Sequence, residues 1–148
     1  MEIALVVVVN EITETSCQVW MQKRSEDGPL DGLWEFPGGK IEVGESATEA
    51  AIREFKEETG FTISEPERVR PLTIVSHRYP DRNVNLNVMT WFKPGVEIGG
   101  EGKWQELDLE SGKLLNGEEF PEANQLIHNR LCDYINKQKN YLDYVCSM

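Results

Sequence analysis

The sequence predicts an α/β (α+β) fold, a mixed sheet flanked by at least two helices, on three observations. Ile3 to Val9 is a continuous β-branched apolar run, the pattern of a strand buried on both faces. Ser46 to Gly60 carries both the start and the stop signals of a helix. Between and beyond these, short apolar segments alternate with glycine- and proline-rich breaks.

Taken in order, Cys17 to Lys23 supports a second strand through Val19, Trp20 and Met21. Ser25 to Gly32, with two glycines, a proline and three acids, reads as a surface loop. Leu33-Trp34-Glu35-Phe36 is short and aromatic and is broken at once by Pro37-Gly38-Gly39. Ser46 and Glu49 form the two halves of a capping box, and Gly60 stands where a left-handed residue closes a helix. Leu72 to His77 and Val84 to Phe92 read as strands joined by the turn Pro80-Asp81-Arg82-Asn83. Pro94 to Gly102 holds four of the chain's twelve glycines and is a loop, followed by Trp104 to Leu109. A second helix begins near Pro121, with Ala123, Leu126, Ile127, Leu131, Tyr134 and Ile135 as its apolar stripe. No repeat or linker divides the chain, so residues 1–139 form one domain and 140–148 a tail.

Composition narrows the function. The 148 residues include 26 acidic against 15 basic, a formal net charge of −11. Duplex nucleic acid is gripped by a basic footprint, so it is excluded as a partner; a polyphosphate can still be reached through bridging divalent ions. The longest apolar run falls far short of the ~20 residues of a membrane-spanning helix. No basic segment precedes it, so no secretory leader is expected. Cys17, Cys132 and Cys146 have no metal-ligand spacing and leave an odd thiol, which suits a reducing cytoplasm. A monomer is expected rather than an oligomer.

The first helix carries the chemistry. On a wheel of about 100° per residue, Ala51, Ile52 and Phe55 face the sheet, while Glu49, Arg53 and Lys56 point outward or towards a neighbouring loop. Glu54, Glu57 and Glu58 share an arc of about 100°. Ala47 and Ala50 continue that face upstream, small enough to leave room for a side-on approach. Like charges at these spacings repel, and the last helical turn disfavours each anion by ~0.3–1 kcal/mol. Clustered carboxylates without a basic partner are hard oxygen ligands for Mg²⁺ or Mn²⁺.

Gly39-x5-Glu45-x7-Arg53-Glu54-Phe55-x-Glu57-Glu58-x-Gly60-Phe61 matches every fixed position of the Nudix hydrolase signature, and the chain resembles that family. The resemblance implies an αβα sandwich, a mixed curved sheet between helices, with the motif as loop–helix–loop. It extends towards the MutT-type pyrophosphohydrolases that clear 8-oxo-dGTP. Trp34 to Glu42, Tyr79-Pro80-Asp81-Arg82 and Phe120-Pro121-x-Ala123-Asn124 are similar to segments of that group.

The resemblance implies that Glu58 and the Gly38 carbonyl hold the metal and that Glu54 and Glu57 complete the cluster. Glu54 is also a candidate general base. Glu101 matches a loop glutamate that joins the site, and Arg53 would orient the carboxylates. Arg24 matches a nucleotide-contacting arginine, and Glu35, Phe36 and Pro37 match residues of the nucleotide pocket. Tyr79 and Arg82 belong to the matched turn, and Asn124 matches an asparagine that reads the purine edge. Pro29 departs from the pattern, standing where that group's best-known member has a nucleotide-contacting histidine. His77 and His128 are isolated and receive no ligand role.

The implied reaction is attack of water at the β-phosphorus of a nucleoside triphosphate, giving a monophosphate and pyrophosphate with Mg²⁺ as cofactor. 8-oxo-(d)GTP is the favoured substrate. A cytidine triphosphate remains an alternative, because the Trp-Glu-Phe approach also resembles that subgroup, and a nucleotide-binding regulatory module without turnover is the alternative from another class.

Overall fold

The computed structural model describes every residue except Glu26, Asp27, Pro29 and Met148. The expected loop over 25–32 therefore lies partly, and Pro29 wholly, outside the described residues. The elements follow the order β1 (Glu2–Ile12), β2 (Ser16–Lys23), β3 (Trp34–Glu35), β4 (Gly38–Lys40), α1 (Ala47–Thr59), a 3-10 turn (Pro66–Arg68), β5 (Arg70–Tyr79), β6 (Arg82–Phe92), β7 (Lys103–Asp108) and α2 (Glu122–Ser147).

β1 is the strand on which the rest is assembled. One edge pairs in parallel with β6 from Glu2↔Asn85 to Val9↔Phe92. The other edge is shared antiparallel between β4, at Ile3 to Leu5, and β2, at Val9 to Ile12. The sheet order is β3-β2-β1-β6-β5, with β4 beside β1 and β7 beside β2. Because side chains alternate, β1 feeds two cores. Leu5, Val7 and Val9 join Val19, Met21 and Val88 beneath Ile127, Leu131 and Ile135 of α2. Ala4, Val6 and Val8 join Trp20, Met89 and Trp91 beneath Ala50, Ala51 and Phe55 of α1. Each buried valine contributes about 1.5–3 kcal/mol, which explains the apolar run without alternation. The result is the expected mixed sheet between two helices.

Four local expectations are corrected. Gly38 to Lys40 is a strand rather than only a break, since β1 offers it a free edge. The hairpin turn is Pro80-Asp81 alone, with Tyr79 already paired to Arg82. On α2, Leu126 and Tyr134 are 55% and 45% exposed, whereas Asn124, His128 and Cys132 are buried. The inward stripe of α2 thus includes two polar residues that hydropathy assigns to the outside. Ala50 is fully buried beneath the sheet, so the small residues of α1 leave no opening there.

The backbone of α2 runs on to Ser147, across the expected boundary at 139/140. Among the described residues, no helix is long and apolar enough to cross a membrane.

Gly38 has no room for a side chain, because an added Cβ would stand 2.5 Å from the Ala4 carbonyl oxygen and 2.6 Å from Leu5 Cβ. Gly38→Ala is expected to push β4 away from β1 and lower stability by about 1–3 kcal/mol, measured by urea unfolding.

Candidate active site

The local sequence sets the geometry of α1 at both ends. Ser46 Oγ accepts from the Glu49 N–H at 3.1 Å, and Glu49 Oε1 accepts from the Ser46 N–H at 3.1 Å. Gly60 adopts φ 78° and donates its N–H to the Lys56 carbonyl at 2.8 Å. Between these caps, Arg53 links the helix to the loop that precedes it. Its Nε and Nη2 donate to both oxygens of Glu45, at 2.6 and 3.0 Å, and Nη2 also donates to the Lys40 carbonyl at 3.0 Å. Its Nη1 donates to Glu54 at 3.0 Å and to Glu57 at 3.3 Å. The hydrogen bonds from Arg53 hold the Glu45 carboxyl down to about 2.

The carboxylates therefore have a basic partner, contrary to the reading from the wheel, which set Arg53 on another face. Its long side chain reaches round to Glu54 and Glu57. Glu58 turns the other way, its Oε2 accepting the Gly38 N–H at 2.8 Å. Glu54 and Glu57 thus answer to Arg53, and Glu58 to the Gly38 N–H. Among the described residues, no group of three acidic, histidine or cysteine side chains is disposed to hold a metal ion. Glu54 instead lies against Gly39, where an added Cβ would come within 2.4 Å of its carboxyl carbon.

A cleft of about 490 Å³ opens beside this helix. It gathers Arg24, Glu35, Phe36, Gly38, Tyr79, Arg82 and Asn124, the greater part of the predicted substrate set, together with Glu58, from widely separated segments. Arg24 is ion-paired to Glu35 at 3.0 Å. The Arg82 guanidinium lies over the Tyr79 ring at 5.2 Å and pairs with Asp81 at 3.2 Å. Asn124 is 6% exposed, and its Nδ2 has no hydrogen-bond partner. Pro37 is buried behind the wall, its carbonyl accepting from the Val6 N–H at 3.3 Å. Glu101 does not line the cleft. It is exposed in the loop after β6, where the neighbouring Gly100 approaches Thr59 at the end of α1.

The NUDIX domain family matches residues 2–131. The chain belongs to the Nudix family. It is 31% identical over 139 residues to an 8-oxo-dGTP diphosphatase of Escherichia coli K12, covering 88% of this chain and 95% of that one. It is 33% identical over 111 residues to an RNA pyrophosphohydrolase of Campylobacter jejuni subsp. doylei, covering 69% of each. Among solved structures, a MutT protein from Methanosarcina mazei Go1 superposes with a TM-score of 0.69 at 23% identity, covering 93% of this chain and 95% of that one. The chain is thus a Nudix hydrolase with the fold of the MutT structures. Nudix hydrolases act on small nucleotides and generally use divalent metals such as Mg²⁺.

The Nudix helix tests well against such a cation. The available donors near Gly38 are oxygens of Glu58 and Glu54, the chemistry a hard divalent ion prefers. Glu58 is pushed up to about 7, first by desolvation where it tucks against Gly38 and then by the negative charges of Glu54 and Glu35.

Three residues that hydropathy and motif left unassigned take part. Gln22 hydrogen-bonds Glu58 from β2. Glu45, a fixed position of the motif, anchors Arg53. His128 is fully buried, its ring centroid 5.5 Å from Phe36 and 4.3 Å from Phe120, with Nδ1 2.9 Å from the Gly112 oxygen. Burial lowers its pKa to about 4, which keeps the imidazole neutral beneath the cleft. Its spacing of four from Asn124, one helical turn, was the available signal.

Glu58 also yields a pH prediction. Its folded pKa lies above the ordinary carboxyl value, so the folded state holds the extra proton and stability falls as pH rises from about 4.5 to about 7. Denaturant unfolding of chelator-treated protein should show this loss, and Glu58→Gln should flatten it. Adding Mg²⁺ at pH 7 should raise the melting temperature of wild type more than that of Glu58→Gln.

Proposed function

We propose that this Nudix hydrolase cleaves nucleoside triphosphates to monophosphate and pyrophosphate in the presence of Mg²⁺, with 8-oxo-(d)GTP as the preferred substrate. The observation that carries the reading is Asn124. It is a buried carboxamide with an unpartnered donor, in the wall of the same cleft as Gly38 and Glu58. A buried amide left unpaired costs free energy, and a base edge presented there would satisfy it. A carboxamide offers two donors and an acceptor, matching the acceptor O6 and the donor N1–H and N2–H of a guanine-type base. The similarity to the Escherichia coli 8-oxo-dGTP diphosphatase supports the same base class.

In this reading Phe36 and Tyr79 flank the base and sugar, Arg24 and Arg82 face the anionic side of the nucleotide, and Glu35 orients Arg24. Glu58, Glu54 and Glu57, with the Gly38 carbonyl, would hold the divalent ion, and Glu101 would be carried to it by the loop after β6. Such an ion lowers the pKa of a water and neutralises charge on the phosphates. Arg53 keeps Glu54 in one orientation against Gly39, as a group that accepts a proton from the attacking water requires. Water adds at the β-phosphorus as the bond from that phosphorus to the oxygen bridging the α- and β-phosphates breaks, so the nucleoside monophosphate leaves with the bridging oxygen and pyrophosphate keeps the oxygen of the water. The intact set Arg53, Glu54, Glu57 and Glu58 favours turnover over a purely regulatory module.

The test is pyrophosphate release from ordinary and oxidised nucleoside triphosphates, cytidine triphosphate and a 5′-triphosphorylated RNA, each with Mg²⁺. The highest kcat/KM is expected for 8-oxo-dGTP, and Asn124→Ala should raise KM for guanine-type substrates by about tenfold while sparing kcat. Preference for cytidine triphosphate or the RNA end would replace the base assignment.

A further inference from the structure

A second groove, separate from the cleft, lies between the start of β5, the end of β6 and the middle of α2. It has a volume of about 200 Å³ and is lined by Arg70, Leu72, Thr90, Phe92, Arg130, Tyr134 and Lys137, together with Pro71 and Asp133. Arg130, Tyr134 and Lys137 lie at i, i+4 and i+7, so they form one face of α2 directed at the sheet edge. The chain carries eleven more acidic than basic side chains, so its cations have many potential partners. Even so, Arg70, Arg130 and Lys137 form no ion pair or hydrogen bond through their side chains among the described residues. Three cations and the single carboxylate of Asp133 thus line one concave place.

The walls add shape to the charge. Tyr134 is 45% exposed, and its ring stands 5.8 Å from that of Phe92, tilted by 38°, which leaves an aromatic surface at the groove's edge. At the base, Thr90 is 4% exposed and its hydroxyl donates to the Arg70 carbonyl at 3.3 Å. Two guanidinium forks and an ammonium lining one groove supply the donors that the several oxygens of a phosphate group accept as charge-assisted hydrogen bonds. The groove is smaller than the ~300–1,000 Å³ of ordinary ligand pockets, which fits a phosphate or pyrophosphate with any attached ring lying outside on Tyr134.

We propose that this groove is a binding site for a small phosphate-bearing anion, inorganic pyrophosphate or a nucleoside monophosphate. The site is independent of the function proposed above, since it shares no residue with the cleft. It does share the sheet face and the helix: Val84 and Leu86 of β6 line the cleft and Thr90 and Phe92 line the groove, while α2 runs from Asn124 over both.

The experiment is a ¹H–¹⁵N titration of the full chain without divalent metal and at fixed ionic strength, with pyrophosphate in one arm and guanosine monophosphate in the other. Saturable shifts at Leu72, Thr90, Phe92 and Tyr134 are expected in at least one arm. Arg70→Ser and Arg130→Ser should each weaken that saturation by about tenfold while leaving the responses of Phe36 and Asn124 as in wild type. Saturation in the pyrophosphate arm alone identifies the inorganic anion, and stronger saturation by the monophosphate, reduced by Tyr134→Leu, identifies the nucleotide. Shifts at these residues that rise without saturation, that sulfate reproduces equally, or that survive both arginine substitutions would overturn the proposal.

Discussion

The clamp between Arg53 and Glu45 is the interaction on which the candidate active site depends. Two parallel N–H···O bonds, at 2.6 and 3.0 Å, tie the middle of α1 to the loop that leaves β4. The same guanidinium takes the Lys40 carbonyl and reaches Glu54 and Glu57, so one side chain sets the position of a strand end, a loop and two carboxylates. A lysine could replace the charge but not the planar fork that makes several of these bonds together. Glu58, the carboxylate outside the reach of Arg53, is held instead by the Gly38 N–H, and burial there raises its pKa.

A second constraint is the division of one β1 edge between β4 and β2. The strands that diverge there leave the sheet open between Gly38 and Gln22, and the cleft occupies that opening. Both glycines of β4 are required by close approach: Gly38 by the backbone of β1 and Gly39 by the carboxylate of Glu54. Across the cleft, α2 is seated by His128, whose neutral ring fills the space between Phe36 and Phe120. The base reading proposed for Asn124 thus depends on packing one helical turn away from it.

Much of this was legible in the sequence because the signals were local. The caps of α1 follow from Ser46, Glu49 and Gly60, whose effects act within a few residues, and the buried β1 follows from an apolar run that no exposed strand would carry. The residues of the cleft were legible through the resemblance of short segments to the MutT group, although they come from five separated stretches. Contacts made by long side chains were not. The wheel places Arg53 by its Cβ direction, while its guanidinium lies several bonds further on and binds acids from a different face. The inward face of α2 was misjudged for a related reason. Asn124 and His128 are polar, but His128 is buried against two aromatic rings and the Gly112 oxygen, and Asn124 is buried with a donor left unpartnered; hydropathy contains neither fact.

The central claim is that Glu45 acts on catalysis only through Arg53. A double-mutant cycle on kcat/KM, with Glu45→Gln, Arg53→Lys and the pair, measures this directly. The account predicts that both single variants lose activity and that the double variant loses little more than Arg53→Lys alone, a coupling within the range of about 0.5–3 kcal/mol seen for residues of one network. Losses that simply multiply would show that Glu45 and Arg53 act separately and would contradict the account.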